Sequence, residues 1–444
     1  MSRSEAGGPA AAEPADGATG EPGQPPAPVP LRRNTSFRLL WIGQVLSDTG
    51  TSAAFIAYPL LVLALTHSAV IAGLVGTVRL VVELLLGLPG GALADRLDRR
   101  LTMIACDSTR AVVLGGLAVL VLLHLVSWPI VLVVAAIDGA GSILFDPAAT
   151  AALPAIVADQ QLEQAWAATE ARQYAASLVG PAIGGALFGL GSAIPFVGDS
   201  ASYLVSAGTA SRIRGRFRPH RTSERTSLLR EAADGIRLVW KQPLLRAVIV
   251  QAPLVNFAFS GVIFAITVAL RSHGTAPGVI GLAQAGISVG GLLGALIAPR
   301  LQGRLPLSRL VVVLTVSATI LFVTAAAALP STLVALPIAV TFLLAPAANA
   351  GLFAAMLRAA PEDMRGRVNN TVVQAATALA ALSPLTAGLL VEHLSGRWAL
   401  LAFAAVMAVA AVLCTALPGL RHAEAAEAAA AQLASLAGPG ATAG

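Results

Sequence analysis

Long apolar runs separated by short polar segments occupy the chain from residue 37 to residue 419. A helix needs about 20 predominantly apolar residues to cross a bilayer. Twelve such windows lie near residues 37–66, 70–94, 101–125, 128–153, 162–188, 192–211, 244–270, 278–299, 307–329, 332–357, 366–391 and 398–419. The sixth is the weakest, because Asp199 and several serines interrupt it. The pattern predicts an all-α integral membrane protein with twelve transmembrane helices.

Composition and charge support a membrane location. The 444 residues are 56% hydrophobic and 12% charged, whereas soluble domains carry about 25% charged residues. Of 29 basic residues, 24 lie in the termini and alternate loops, which is the positive-inside pattern. It predicts a lipid-embedded protein with both termini cytoplasmic and argues against nucleic acid as a partner, which would need basic residues on one soluble face. The high arginine and alanine content suggests a bacterial plasma membrane.

A charged hairpin lies between the second and third apolar runs. Residues 91–100 read Gly-Ala-Leu-Ala-Asp-Arg-Leu-Asp-Arg-Arg, and Arg300 and Arg304 repeat Arg96 and Arg100 at an offset of 204. The segment resembles the cytoplasmic loop between helices 2 and 3 of the major facilitator superfamily. The residues that carry the motif are Gly91, Asp95, Arg96, Arg99 and Arg100.

The resemblance implies a conformational role for this hairpin. In the superfamily, the motif's aspartate contacts the N-terminal end of helix 11, whose dipole favours an anion. Here Asp95 would contact the start of the eleventh span, which follows Arg365 and Arg367. Asp95 is therefore expected to control cycling rather than contact cargo. The chain departs from the motif at Asp98, where the superfamily carries glycine.

A second repeat predicts two parallel halves. Gly180-Pro181…Gly185 matches Ser383-Pro384…Gly388 at an offset of 203, close to the offset of the hairpins. The prediction is two pseudo-symmetric six-helix bundles, at residues 32–214 and 244–420, with a basic cytoplasmic linker at 215–243. A disordered tail at 1–31 and an alanine-rich tail at 421–444 would flank them.

The Gly-Pro cluster of the fifth span suggests the direction of transport. Its residues are Gly180, Pro181, Gly184 and Gly185. They resemble the fifth-helix motif of antiporters, although small residues and proline also serve simple helix packing and bending. The cluster favours export over import.

Ionisable residues inside spans are functional candidates by default. Asp48 and Asp138 lie near mid-depth and lack a local basic partner, so they are the first proton-carrier candidates, because a carboxyl in a low-dielectric cavity can exchange protons near neutrality. Arg79 and Glu83 can pair on one helix face, as can Asp107 and Arg110. The resemblance implies a fourth-helix arginine in proton-coupled members, and Asp138 stands in its place; Arg110 and Arg172 are the alternative substitutes. Glu83 and Arg110 complete the set of coupling candidates.

Neutral polar residues inside spans are candidates for lining a cavity. They are Gln44, Tyr58, Asn256, Gln284 and Gln374. Because the only lysine, Lys241, follows Trp240 and the six histidines are scattered, the sequence predicts no phosphate loop, cofactor or metal site. An enzyme is not expected.

Three further segments resemble one branch of the superfamily. They begin at Asn34, Phe145 and Arg365, and resemble the drug:proton antiporter branch that contains the enterobactin exporter and the macrolide-efflux proteins. The resemblance implies that a monomer exports an amphipathic small molecule, such as a drug, siderophore or secondary metabolite, in exchange for protons. An importer or facilitator of a polar metabolite and a non-transporting membrane sensor remain alternatives.

Overall fold

The computed structural model describes residues 30–213, 237–361 and 364–416, without the side chains of 88–96 and Arg367. All regular secondary structure in this part of the chain is helical. Its α-helices are α1 Thr35–Thr66, α2 Ala69–Arg96, α3 Arg99–Leu122, α4 Trp128–Ile156, α5 Leu162–Leu190, α6 Ile194–Arg212, α7 Pro243–Ser272, α8 Pro277–Arg304, α9 Leu307–Ala328, α10 Ala335–Ala359, α11 Arg365–Ala378, α12 Ser383–His393 and α13 Gly396–Ala416.

Ten candidate membrane spans lie within the described residues. A short 3-10 turn at Ala380–Leu382 joins α11 and α12, and the two together make one candidate span, Val368–His393. Helices α5 and α6 fall outside this set of ten. Helix α6 has low hydropathy because it contains Asp199 and several serines, as expected from the sequence.

Large apolar side chains cover much of the outer surface. Leu85, Val112 and Leu190 are 68%, 73% and 78% exposed. A soluble monomer rarely exposes extended apolar surface, whereas lipid accommodates it. The exposed apolar residues therefore fit a membrane-embedded bundle.

Helix packing follows the halves of the sequence. Helix α1 packs against α5 and α6, α2 against α4, and α3 against α4 and α6. In the second half, α8 packs against α10, and α9 and α7 both pack against α13. The main contacts between first-half helices (α1–α6) and second-half helices (α7–α13) are α5 with α8 and α2 with α12.

Local capping explains why the chain departs from the superfamily motif at Asp98. The Asp98 carboxylate accepts a hydrogen bond from the Leu101 backbone N–H at 3.0 Å and is the N-cap of α3. Aspartate is among the preferred N-cap residues, and replacing such a cap by alanine costs about 0.5–2 kcal/mol. The acid at this position helps to start the third helix.

The predicted tails and linker lie largely outside the described residues. Of the linker at 215–243, only its last residues are described, and there Val239 is buried against the second-half core.

Candidate functional site

A buried ionic cluster occupies the interior of the first half. The Asp138 carboxylate on α4 accepts hydrogen bonds from Arg79 Nη1 and from Arg110 Nε, each at 2.8 Å. Arg79 Nε also bonds Glu83 Oε1 at 3.1 Å, one turn further along α2. Two positive and two negative side chains therefore balance. This matters because a buried charge without a counter-charge is strongly destabilising.

Asp138 has no basic partner on its own helix, as the sequence indicates, but it is not unpaired. Its two partners lie on α2 and α3, 59 and 28 residues away in the chain, so spacing along one helix could not reveal them. The predicted Arg79–Glu83 pair is present. The predicted Asp107–Arg110 pair is absent among the described ion pairs, because the Arg110 guanidinium turns to Asp138 instead.

Two tyrosines and a threonine surround the cluster. Tyr203 Oη donates to Asp138 Oδ1 at 3.4 Å, and Tyr58 Oη to Asp138 Oδ2 at 3.5 Å. The Arg110 guanidinium carbon lies 3.9 Å from the centre of the Tyr203 ring, a cation–π geometry. The Thr51 and Tyr203 hydroxyls are 2.6 Å apart. Helices α1, α3, α4 and α6 thus converge on one network.

Glycines next to Asp138 make room for the arginines. A Cβ added at Gly141 would lie 2.6 Å from Arg110 Cδ, and one added at Gly139 would lie 3.1 Å from Arg79 Cγ. Sequence reasoning did not identify these two residues. The signal that could have revealed them is the pattern Asp138-Gly139-Ala140-Gly141, in which small residues flank a buried acid.

Asp48 is also paired with an arginine of another helix. It forms an ion pair with Arg172 of α5, whose Nη1 also donates to the Gln44 carbonyl oxygen at 3.1 Å. The partner is 124 residues away in the chain. Asp48 remains partly accessible, with 29% of its side chain exposed. Gln44 therefore belongs to this α1–α5 contact.

Two other first-half carboxyls are buried without an ion pair. Asp107 is 0% exposed; the Ser206 hydroxyl faces its carboxyl group, but neither carboxyl oxygen has a hydrogen-bond partner of ordinary geometry. Asp199 is 1% exposed; its Oδ1 accepts from Ser202 at 3.2 Å, and its Oδ2 has no partner. Neither was among the predicted coupling residues.

A cavity of about 370 Å³ opens between first-half and second-half helices. Its walls are mainly apolar and include Phe55, Phe259 and Phe264. Polar side chains are few, and the predicted residues Tyr58, Asn256 and Gln284 are among them. The polar and charged side chains of the lining are Tyr58, Arg79, Asn256, Ser260, Thr267, Gln284 and Thr377.

One residue belongs to both the cavity and the ionic cluster. Arg79 lines the cavity while its guanidinium bonds Asp138 and Glu83. On the opposite wall, Gln284 Nε2 donates to Thr267 Oγ1 at 2.6 Å. The remaining cavity candidate, Gln374, lies against Gly87 of α2 and is not part of the lining.

The Gly-Pro cluster of α5 forms close helix contacts. Cβ atoms added at Gly180 and Gly184 would collide with Ser52 and Ala53 of α1. At Gly185 an added Cβ would lie 2.9 Å from Gly281 Cα of α8. Pro181 lines the cavity. The cluster therefore lets α5 approach both α1 and the second-half helix α8.

The charged hairpin is described in part. Arg99 Nη1 donates to the Ala151 carbonyl at 2.7 Å, and Arg100 donates to the Ser211 carbonyl, which ties the start of α3 to α4 and α6. Arg365 Nε donates to the Leu357 carbonyl at 3.2 Å. The side chains of Gly91, Asp95, Arg96 and Arg367 lie outside the described residues, so the contact expected of Asp95 stays a prediction.

Glu392 links the two halves of the chain at the start of α2, the end of that helix away from the charged hairpin. Glu392 Oε2, at the end of α12, accepts from Ser68 Oγ at 2.7 Å and from the Val70 backbone N–H at 2.8 Å. A carboxylate at a helix N-terminus satisfies a free N–H group and complements the helix dipole. Glu392 therefore caps α2 from the second half of the chain.

A membrane-embedded helix bundle with an apolar cavity between its halves, beside a balanced ionic cluster, has the geometry of a multi-pass membrane transporter. The chain belongs to the transmembrane secretion effector family of the major facilitator superfamily, whose family model matches residues 26–437. The proteins it resembles are transporters, not enzymes.

Curated relatives include efflux proteins. The multidrug efflux pump Tap of Mycolicibacterium fortuitum is 28% identical over 80% of this chain and 88% of its own length. The enterobactin exporter EntS of Citrobacter koseri is 26% identical over 65% of this chain and 69% of its own length. The predicted resemblance to an exporter branch of the superfamily is confirmed.

Solved structures share the fold. A bacterial homologue of the iron transporter ferroportin, in an inward-facing state, superposes with a TM-score of 0.67 at 18% identity, covering 88% of this chain and 99% of that one. An inward-facing bacterial homologue of the lysosomal transporter Spinster gives 0.66 at 15% identity, covering 88% and 98%.

Proposed function

We propose that this protein is a secondary active exporter that exchanges protons for an amphipathic small molecule by alternating access. The observation that carries the proposal is the double position of Arg79, in the cavity wall and in the ionic cluster. Because one guanidinium contacts both, cargo in the cavity and charge in the first-half interior act on the same side chain. That is the physical requirement for coupling them.

The cavity walls favour an amphipathic cargo. Aromatic and aliphatic side chains supply most of the lining, and the second-half wall offers neutral amides and hydroxyls. Arg79, the charged group of the lining, is balanced by Asp138 and Glu83. Such a site gains affinity from apolar burial and orientation from a few polar contacts. The names of the relatives, a multidrug efflux pump and an enterobactin exporter, agree with this class.

Proton coupling would act through the paired residues Asp48, Glu83, Asp138 and Arg110. Neutralising Asp138 would leave Arg79 with Glu83 as its ion-pair partner and Arg110 with none, so proton binding there would require the arginines to move. A shift of Arg79 changes the cavity wall directly. Import of a polar metabolite is less favoured, because the second-half wall offers no charged partner.

The proposed architecture is a monomer with twelve spans in two six-helix bundles, at residues 32–214 and 244–420. Helices α5 and α6 complete the first bundle, and α11 with α12 forms a single interrupted span of the second. Both termini and the basic linker would be cytoplasmic, as the positive-inside pattern indicates. Lipid, cargo and protons would be the only partners.

Accumulation assays in expressing cells test the proposal. A panel of amphipathic dyes, antibiotics and siderophores is measured with and without an uncoupler. We expect lower accumulation of at least one compound, reversed by the uncoupler and absent in Asp138→Asn. Asp159→Asn, in an exposed turn, is the control. Unchanged accumulation of every compound would contradict export and favour a non-transporting sensor.

A further inference from the structure

We infer that Asp107 and Asp199 are further proton-binding residues of the transport cycle, in addition to the ion-paired coupling residues, and that they lie on α3 and α6 away from the cargo cavity. This rests on the proposed proton exchange. Both carboxyls are almost completely buried and retain oxygens without a hydrogen-bond partner. Asp48, Glu83 and Asp138, in contrast, are each held by an arginine.

The chemistry of a buried, unpaired carboxyl favours proton binding. An ionised carboxylate buried without a cation or sufficient donors is very costly, whereas the neutral acid avoids that cost. Asp138 already has two guanidinium partners. Asp107 and Asp199 have none within ion-pair distance among the described residues, so the proton is their available counter-charge.

Their positions bracket the ionic cluster. Contacts from Arg100 to the Ser211 carbonyl and from Ser200 Oγ to the Ala111 carbonyl show that α3 and α6 pack antiparallel. In this register Asp107 lies beside Ser206, which is seven residues beyond Asp199 on α6. At 1.5 Å per residue the carboxyls are separated by roughly 10 Å along the helix axis.

The Arg110–Tyr203 contact lies between the two acids. Arg110 follows Asp107 by three residues and Tyr203 follows Asp199 by four, so each acid has one member of the stacked pair on its own helix face. A guanidinium that leaves Asp138 for either acid would give that acid a cation and release its proton to water. Neither acid is part of the cavity lining. Protons and cargo therefore take different routes that meet at the cluster.

Other charged groups face both carboxyls. Around Asp107 they are Arg110 on its own helix, Asp48 of α1 and Asp146 of α4, with the Ser206 hydroxyl of α6. Around Asp199 they are Asp138 of α4, Arg110 of α3, Arg79 of α2 and Tyr58 of α1, with Tyr203 and Ser202 on its own helix. Asp48 and Arg110 are already ion-paired with Arg172 and Asp138, so neither arginine supplies a counter-charge to Asp107.

The test separates cargo exchange from proton-driven transport. Full-length protein in proteoliposomes is given a dye that the cellular assay identifies as cargo. One assay measures exchange of internal for external dye at equal pH, and the other measures uphill accumulation driven by a pH gradient. We expect Asp107→Asn and Asp199→Asn to keep exchange at the wild-type level and to lose uphill accumulation. Asp159→Asn should keep both.

Each other result has a defined meaning. If both asparagine variants retain uphill accumulation, Asp107 and Asp199 are not proton-binding residues of the cycle. The proposed function is unaffected in that case, because the wild-type protein still accumulates dye in response to the pH gradient. If exchange is also lost, Asp107→Glu and Asp199→Glu decide: recovery of both activities supports a carboxyl role, and failure of the glutamate variants overturns it in favour of a packing role. A wild-type protein that ignores the pH gradient contradicts proton exchange itself.

Discussion

Side chains from five helices form the first-half cluster. Arg79, Arg110, Asp138 and Glu83 balance one another in charge, and the Tyr58 and Tyr203 hydroxyls complete the Asp138 carboxylate. Removing one member of a buried ion pair typically costs about 3–5 kcal/mol, because the other charge is left uncompensated. The cluster is therefore sensitive to small changes in the space around it.

Replacing Gly141 by alanine tests that sensitivity. The new Cβ would lie 2.6 Å from Arg110 Cδ, so the Arg110 side chain must move away from Asp138. We expect Gly141→Ala to lower the thermal unfolding temperature in detergent and to abolish uncoupler-sensitive efflux.

Gly116→Ala is the matched control for this substitution, because an added Cβ there meets no heavy atom within 4 Å. Its stability and efflux should match those of the wild type. Equal behaviour of the two alanine variants would show that the Arg110 position is not critical.

At the residue scale, sequence reasoning identified short-range pairs and missed long-range ones. Arg79 and Glu83 are four residues apart and pair as predicted. Asp48 and Asp138 lack a local basic partner in the sequence, yet arginines from other helices reach both. Partner choice across helices depends on their rotation and register. An apolar pattern alone does not specify these.

Among the helices, α5 and α2 make the principal contacts with second-half helices. Helix α5 approaches α8 through facing glycines, Gly185 and Gly281. Helix α2 packs against α12 and is capped by Glu392. Small residues allow helices to come close in lipid without large side chains between them. In the proposed alternating-access cycle these contacts would form and break.

Enlarging Gly185 should hinder closure between α5 and α8. An added Cβ would meet the Pro277 carbonyl oxygen and Gly281 of α8. We expect Gly185→Ala to slow cargo exchange in proteoliposomes while leaving cargo affinity nearly unchanged. Gly189→Ala on the same helix, where a Cβ meets nothing within 4 Å, should exchange at the wild-type rate. Equal exchange rates would argue against a gating contact here.

The Glu392 contact predicts a second gating effect. In Glu392→Gln the capping group loses its charge, and loss of a cap weakens a helix end by about 0.5–2 kcal/mol. Val75 is 1% exposed and lines the cavity. We expect a Val75→Cys side chain to react about 2- to 30-fold faster with an impermeant thiol reagent added outside when Glu392→Gln is present than when Glu392 is intact.

This experiment requires replacement of Cys106 and Cys414 by serine. Glu163→Gln, an exposed acid in the first turn of α5, is its control. An unchanged Val75→Cys labelling rate in Glu392→Gln would show that the Glu392 contact with the start of α2 does not hold the two halves closed.

At the element scale the sequence was informative, since the apolar windows locate the helices to within a few residues. Two features of the helices are not visible in the apolar windows. Helix α2 continues through Arg96, beyond its apolar run, and the eleventh span is interrupted at Ala380–Leu382. Hydropathy reports transfer to lipid and carries little information on backbone breaks that neighbouring helices tolerate.

Across the whole molecule, ionisable groups are distributed unequally. The buried ion pairs and the unpaired acids Asp107 and Asp199 lie among α1–α6. Buried charged side chains are absent from the described part of the second half, whose contribution to the cavity is neutral. In the proposed exchange, this division places proton binding in the first half and cargo contact in both. The sequence agrees with this proposal, because residues 244–357 contain no acid.

Proton movement linked to cargo movement is the most direct test of the central claim. Wild-type protein is reconstituted into vesicles that contain cargo and a trapped pH indicator, and external cargo is removed by dilution. The account predicts that the interior acidifies as cargo leaves, and that an uncoupler abolishes the pH change but not cargo exit. A constant or rising internal pH during cargo exit would contradict exchange of cargo for protons.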